Sequence, residues 1–135
     1  RGDALDVFAS LSAAAGCNYC QAHTSHGAHA RGVSSEKIEA LWLYETNPLF
    51  SDAERAALQL AQSSASVPNQ ATQAHFDTAK AHFDDAQVAE IIAVVATFGF
   101  LNRWNDSLAT DIEDNPLAFA ETHLAATNWT PPSDR

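Results

Sequence analysis

The sequence predicts an all-α domain of about six to seven helices. Ala recurs in nearly every segment, Gly and Pro number only five each, and no strand-like alternation of apolar and polar residues persists. The 135 residues correspond to one domain, and a hydrophobic content of 46% allows a modest core. We therefore expect residues 1–135 to form a single helical domain.

Capping residues and chain breaks predict the order of the helices. Four of the predicted helices cover residues 5–15, 18–31, 52–65 and 85–110. A further helix begins at Ser34 or Ser35, and a short one runs from an Asn69 cap through His82. The last helix has Asn115 as its cap and Pro116 as its first residue, and it ends near Thr127. Ser51 with Glu54 and Asp84 with Gln87 have the spacing of capping boxes. Gly32 marks the end of the second helix.

The formal net charge of -10 argues against nucleic acid and acidic membrane surfaces as partners, because no Lys or Arg cluster offsets it. The first sixteen residues carry acids within their apolar part, so they are not predicted to be a signal peptide. Glu90 and Arg103 bracket an apolar run too short for a membrane span, which takes ~20 residues. We expect a buried core helix in a cytoplasmic protein. The absence of Met indicates either a fragment of a longer chain or a sequence that lacks residues in its N-terminal region.

The stretch GCNYCQAHTSHGAHARG holds both cysteines and three of the six histidines, spaced by three from Cys17 to His29. Cys and His in this pattern could bind zinc. On a continuous helix, however, Cys17 and His26 would lie on opposite faces, ~13 Å apart along the axis. We therefore predict no metal site. Plain packing of the two thiols and a solvated face for His26 and His29 stay open as alternatives.

The same spacing favours a redox-active dithiol. Residues three apart on a helix are neighbours, so Cys17 and Cys20 can form a disulfide, and a helix N-terminus lowers a thiol pKa. His23 lies one helical step beyond Cys20 and could act as its base. The helix dipole favours Cys17 instead. Because a direct proton acceptor perturbs a thiol more than the dipole does, we predict Cys20 as the more reactive thiol and Cys17 as its partner.

This stretch, with LFSDAERAALQLA, FDDAQVAEIIAVVATFGFLNRWNDSLAT and the C-terminal Trp, resembles the carboxymuconolactone decarboxylase superfamily in its alkyl hydroperoxidase D-like (AhpD-like), peroxidase-related branch. The resemblance covers most of the chain. It implies an all-helical AhpD-like fold, homo-oligomers, and reduction of hydroperoxides by the cysteine pair. Carried over, Cys20 is the peroxidatic thiolate that becomes a sulfenic acid, and Cys17 resolves it to a disulfide.

Two positions depart from the family pattern. The family His stands four residues after the second Cys, where this chain has Thr24, and His23 lies one residue earlier. The relay acid of the family would fall at Leu5, so Asp6 is the candidate acid, with Glu45 as an alternative from elsewhere in the chain. The resemblance thus implies His23 as base or relay and Asp6 as the relay acid.

The leading hypothesis is a thiol-dependent alkyl hydroperoxide reductase without a bound cofactor. The resemblance implies a small hydroperoxide as substrate and a dithiol reductant, such as lipoamide or a thioredoxin-like protein. Two alternatives stay open. One is a decarboxylase-like lyase acting on a lactone acid, a reaction that does not need the cysteines. The other is a non-enzymatic, oligomeric redox sensor.

Two further features could contribute to a site or to its support. The segment LNRWNDSLAT places polar residues beside Trp104 on the longest predicted helix: Asn102, Arg103, Asn105 and Asp106. A hydrogen-bonded helix end is the favoured interpretation, and the lining of a pocket beside the thiols is the alternative. The tail after the last helix is irregular, with Trp129 as a possible anchor.

Overall fold

The computed structural model of the chain describes residues 16–132. Its α-helices are α1 Asn18–Ala30, α2 Ser35–Glu39, α3 Asp52–Ala65, α4 Gln73–Lys80, α5 Asp85–Leu108 and α6 Asp114–His123, with 3₁₀ turns at Leu41–Leu43 and Ala125–Thr127. This part of the chain contains no strand, so the predicted all-α class is confirmed. The helix predicted over residues 5–15 lies outside the described residues.

Reciprocal side-chain caps begin two of the helices where the sequence predicts them. At α3, Glu54 N–H donates to Ser51 Oγ over 3.2 Å, and Ser51 N–H donates to the Glu54 carboxylate over 2.8 Å. Asp84 and Gln87 make the same pair of bonds at α5. Gly32 has a φ of 95° just beyond α1, a left-handed conformation that ends a helix. These local interactions explain why the boundaries could be predicted.

Two predicted helix starts were wrong. α4 begins after Thr72 rather than after Asn69. The Asn69 side chain instead donates to the Ser64 carbonyl at the end of α3 and accepts from the Ala71 backbone N–H. α6 begins after Glu113 rather than after Asn115, which places Pro116 inside the first turn. Proline is tolerated there because the first N–H groups of a helix have no intrahelical partner.

Helix α1 has neighbours on several sides, since it packs against α6, α5 and α2. One apolar cluster lies on the α1–α2–α6 side and includes Ile38, Phe50 and Trp129. A second cluster joins α3, α4 and α5 around Leu60 and Ile91. The two cysteines form a third, small cluster with Tyr19, Phe98 and Leu101, and Phe98 also packs against the second cluster. The thiols thus belong to the packed interior.

Helix α5, expected from sequence to be a core helix, is buried on one side only. Ile91 and Val95 lie in the second cluster, whereas Phe100 is 60%, Trp104 57% and Leu108 63% exposed. Among the described helices, α5 is long and apolar enough to cross a membrane by length and composition, a test that core helices of soluble proteins also pass. The other described helices therefore cover the first part of α5 and leave an apolar face at its end.

Replacing Leu60 with alanine should lower the free energy of unfolding by about 2–5 kcal/mol, because a fully buried leucine leaves a cavity when truncated. Leu43→Ala is the matched control, since that side chain is 63% exposed, and it should change the stability by less than about 1 kcal/mol. Urea denaturation followed by circular dichroism measures both. Equal effects of the two substitutions would contradict the assignment of Leu60 to the core.

Candidate active site

The two cysteines lie at the start of α1, as predicted. Cys17 is the N-cap residue with an extended backbone, and its sulfur accepts a hydrogen bond from the Cys20 backbone N–H over 3.2 Å. Both cysteines are free thiols and both are only 3% exposed. A sulfur atom therefore takes the place that a serine or aspartate oxygen usually occupies at a helix start.

Hydrogen bonding gives the two thiols different acidities. The Cys20 side chain donates to the Cys17 sulfur, and this bond, helped by the Cys20 backbone N–H, lowers the pKa of Cys17 to about 7 against the opposing effect of burial. The same side-chain bond, followed by burial and the negative charge on Cys17, raises the pKa of Cys20. Cys17 is therefore the thiol of the reduced pair that ionises near neutral pH, whereas Cys20 keeps its proton there.

Helix α5 brings two polar side chains of LNRWNDSLAT to the thiols. The Asn105 amide nitrogen donates to the Cys20 sulfur over 3.8 Å. The negative charge of Asp106 acts on both sulfurs in the opposite sense and raises the pKa of each thiol. Of the two interpretations of this segment, the lining of a pocket beside the thiols therefore holds for Asn105 and Asp106.

A cavity of about 150 Å³ opens beside Cys17. Helices α1 and α5 and the C-terminal tail supply its walls: Cys17, Asn18, Tyr19, Asn105, Asp106, Ala109, Thr130, Pro131 and Pro132. Cys20 is not part of this lining. Cys17 is thus the thiol that a small molecule in the cavity would meet.

The tail reaches this cavity because Trp129 anchors it. The Trp129 indole is 7% exposed, and its Nε1–H donates to the Asn18 carbonyl over 2.8 Å. The Asn18 side-chain amide also donates to Thr130 Oγ1 over 3.4 Å. Asn18 stands between the two cysteines in sequence, so the residue that holds the tail is part of the thiol motif itself.

His23 points to α6 and not to a sulfur. Its Nε2 lies 2.5 Å from a Glu113 carboxylate oxygen, and its ring contacts Tyr19 with 4.4 Å between centroids. The Tyr19 hydroxyl donates to the same carboxylate over 3.5 Å. A hydrogen bond from its own backbone N–H, then the bond to His23, lowers the pKa of Glu113. Among residues 16–132, neither sulfur has His23 as a hydrogen-bond partner, so its role as a base stays a prediction.

The acid next to His23 is one that the sequence interpretation missed. Asp6, the predicted relay acid, lies outside the described residues, and Glu45 is an exposed residue after the first 3₁₀ turn. Glu113 is 90 residues from His23 in sequence and lies immediately before α6. No local signal links the two, because only the packing of α1 against α6 brings them together.

The remaining histidines of the motif pack against α6. The rings of His26 and His29 lie 5.9 and 5.2 Å from that of Phe119, between ring centroids. Within residues 16–132, no group of three or more His, Cys, Asp or Glu side chains is placed to hold a metal ion. In the described part of the chain, the motif contributes a thiol pair at its start and aromatic packing at its end.

The sequence and the fold of this chain are similar to those of known proteins. Residues 9–63 match the carboxymuconolactone decarboxylase family. The fold also matches that of a protein of unknown function from Agrobacterium tumefaciens, for which the antioxidant defence protein AhpD is the suggested identity. The TM-score is 0.78, the match covers 83% of this chain and 79% of the other, and the sequence identity is 20%. The chain therefore shares part of its sequence with the carboxymuconolactone decarboxylase family and its fold with this AhpD-like protein.

Two structures of debrominase Bmp8 match 87% of this chain. Both have a TM-score of 0.80, and the match covers 64% of the Bmp8 chain. The sequence identity is 32% to the ligand-free structure and 31% to a cysteine-to-alanine variant in complex with 2,3,4-tribromopyrrole. The uncharacterized protein YnjA of Escherichia coli strain K12 is 32% identical over 92 residues, 68% of this chain. The chain spans 50% of the length of YnjA. The proteins to which this chain is similar thus include an enzyme, the debrominase Bmp8.

The pKa of Cys17 should fall near pH 7 and should depend on Cys20. Thiolate absorbance at 240 nm, followed against pH, should show one transition near pH 7, because a thiol with a lowered pKa ionises at lower pH. Cys20→Ala removes the thiol donor and should move the transition upward, toward the usual ~8.5 of a free thiol. In Cys17→Ala, the remaining Cys20 should show no transition near pH 7. An unchanged transition in Cys20→Ala would rule out the thiol–thiolate bond as its cause.

Proposed function

We propose that the chain is a dithiol-dependent reductase that reduces small hydroperoxides through Cys17 and Cys20. The observation that carries the proposal is the N-cap position of Cys17, where its pKa is about 7 and its side chain lines a cavity. The thiolate is the form of cysteine that attacks a peroxide. Cys20, one helical step away, supplies the second thiol that a two-electron reduction needs. The match of residues 9–63 to the carboxymuconolactone decarboxylase family and the likeness of the fold to an AhpD-like protein support the same activity.

In the proposed cycle, the Cys17 thiolate attacks the terminal oxygen of the hydroperoxide and the O–O bond breaks. The sulfur becomes a sulfenic acid, and the alkoxide takes up a proton and leaves as an alcohol. Cys20 then gives up its proton and attacks the Cys17 sulfur, which releases water and forms the disulfide. An external dithiol, such as lipoamide in its reduced form or a thioredoxin-like protein, returns two electrons and two protons by thiol–disulfide exchange. The sum is one hydroperoxide and one dithiol converted to one alcohol, one water and one disulfide.

This assignment exchanges the two cysteine roles predicted from sequence. That prediction gave the attack to Cys20 because His23 was expected beside it. His23 is bonded to Glu113, whereas Cys17 has the lower pKa and lines the cavity. We keep a relay role for His23 through Tyr19, which lines the cavity and shares the Glu113 carboxylate with it. Burial and the Glu113 charge raise the pKa of Tyr19, so its hydroxyl keeps a proton that it can donate to a leaving oxygen.

Reductive debromination is the second candidate, because the chain is 31–32% identical to debrominase Bmp8 across the matched structure. Replacing a C–Br bond with C–H takes two electrons and one proton and releases bromide, so the same dithiol could supply the electrons by becoming a disulfide. Bromide release from 2,3,4-tribromopyrrole, measured with the protein and reductant of the hydroperoxide assay, separates the two substrates. Lactone decarboxylation would survive the loss of both thiols, and a redox sensor would be oxidised without turnover.

Hydroperoxide consumption should distinguish the roles of the two thiols. With dihydrolipoamide as reductant, Cys17→Ser should lose turnover of cumene hydroperoxide, since no thiolate then faces the cavity. Cys20→Ser should also lose turnover but should complete one round of oxidation and keep a sulfenic acid at Cys17, which dimedone labels for mass spectrometry. Dimedone on Cys20 in the Cys17→Ser protein, with none on Cys17 in the reverse variant, would restore the order predicted from sequence. No consumption of hydroperoxide by the wild-type protein would refute the proposed function.

We also propose that the chain forms a homo-oligomer through the exposed end of α5. Phe100, Trp104 and Leu108 follow one another at intervals of four residues, so they share one helix face. The rings of Phe100 and Trp104 lie 5.9 Å apart between centroids, and Arg103 borders the same apolar groove. A second copy of the chain is the proposed partner, because one apolar stripe can pair with itself about a twofold axis. Homo-oligomers are also what the family resemblance implies.

Sedimentation velocity at micromolar concentration should show a species larger than the 14.5 kDa of one chain. Trp104→Glu should shift the protein toward the monomer, because the substitution places a charge in the proposed interface. Leu43→Glu introduces the same charge at an exposed leucine away from α5 and should leave the assembly intact. A wild-type species of 14.5 kDa, or dissociation by both substitutions alike, would contradict the proposed interface.

A further inference from the structure

The last turn of α5 places a carboxylate in the thiol cavity. Asp106 lines the cavity together with Cys17 and the neighbouring Asn105. Among the described residues of this lining, Asp106 is the only one of the acidic or basic type, Asp, Glu, Lys, Arg or His. Any small molecule that reaches the Cys17 sulfur therefore enters a space in which the fixed charge is negative.

The position of Asp106 works against the reactivity of the thiol. Its charge raises the pKa of both Cys17 and Cys20, whereas the helix start and the Cys20 bonds lower that of Cys17. Through its charge, Asp106 therefore disfavours the thiolate that nucleophilic attack requires. Its field does, however, act on every charged molecule in the cavity, and two like charges a few ångströms apart in a partly enclosed space repel appreciably.

We infer that Asp106 is a specificity-determining residue that selects molecules by charge: neutral ones reach Cys17, and anionic ones are disfavoured. The inference deepens the proposed function, on which its biological meaning rests. It narrows the substrate class to hydroperoxides without a carboxylate near the peroxide group. It applies equally to the small-molecule reductant, so that a dithiol amide should act faster than the corresponding dithiol carboxylate.

Alkylation with a matched pair of reagents tests the inference without any turnover. Iodoacetamide is neutral and iodoacetate is anionic, and both transfer a similar group to a thiolate with loss of iodide. The quantity to compare is the ratio of their rate constants at Cys17, measured by mass spectrometry with fragmentation to separate Cys17 from Cys20. A change in thiol pKa alters both rate constants together, so it cancels from the ratio and leaves the effect of reagent charge.

Asp106→Asn should lower the iodoacetamide-to-iodoacetate ratio by roughly three- to tenfold at low salt, the size expected for one unit charge at close range. Asp106→Ser is a second neutral variant, and Asp106→Glu, which keeps the charge, should keep the wild-type ratio. Glu90→Gln removes the same charge from the exposed surface of α5, about 24 Å away along the helix, and should leave the ratio unchanged. High salt should narrow the difference between wild type and Asp106→Asn.

Two results would overturn the inference. One is an iodoacetamide-to-iodoacetate ratio that stays at the wild-type value in both neutral Asp106 variants. The other is an equal fall of this ratio in Glu90→Gln, which would assign the effect to the net charge of the protein. The proposed function fails by a different result. If the wild-type protein consumes no hydroperoxide but the ratio responds to Asp106 alone, the charge selection stands and the hydroperoxide activity does not.

Discussion

The hydrogen bond from the Cys20 backbone N–H to the Cys17 sulfur is the interaction on which the candidate site depends. It makes a sulfur atom the cap of α1 and so fixes that sulfur at the positive end of the helix. The same turn brings the Cys20 side chain close enough to donate to Cys17, which separates the acidities of two chemically identical groups. The capping geometry thus determines which of the two thiols ionises at the lower pH.

The environment of that turn comes from three separate parts of the chain. Helix α5 supplies Asn105 and Asp106, the residue before α6 is Glu113, and the tail returns through Trp129 to the Asn18 carbonyl. No one of these segments forms a cavity or a polar network by itself. These segments meet at helix α1 because it packs against both α5 and α6. The thiol motif is therefore one wall of a site that the tertiary structure completes.

The features that could be predicted from sequence are those with local causes. The Ser51 and Asp84 capping boxes and the Gly32 stop each involve neighbours in the chain, and the spacing of the cysteines places both thiols at one helix turn. At the start of α4, both Asn69 and Thr72 are polar residues that can cap a helix, and the sequence alone does not show which of them does so.

The contacts around the thiols could not be predicted as well from the sequence, because they join residues that lie far apart in the chain. His23 was expected to meet Cys20 one helical step away, but a carboxylate from the start of α6 binds the imidazole. The expected order of the two thiols followed from that contact. Spacing shows which side chains share a helix face, but it does not show which of several polar partners a histidine will bind once the helices pack.

The N-cap sulfur also has a consequence for the reduction potential of the cysteine pair. A thiolate at a helix start is stabilised by the N–H group that it accepts from and by the helix dipole, and a disulfide sulfur, which carries no charge, gains far less from either. Stabilisation of the dithiol relative to the disulfide makes the couple more oxidising. A disulfide between Cys17 and Cys20 would therefore be easier for a dithiol to reduce than one formed from two thiols of ordinary pKa.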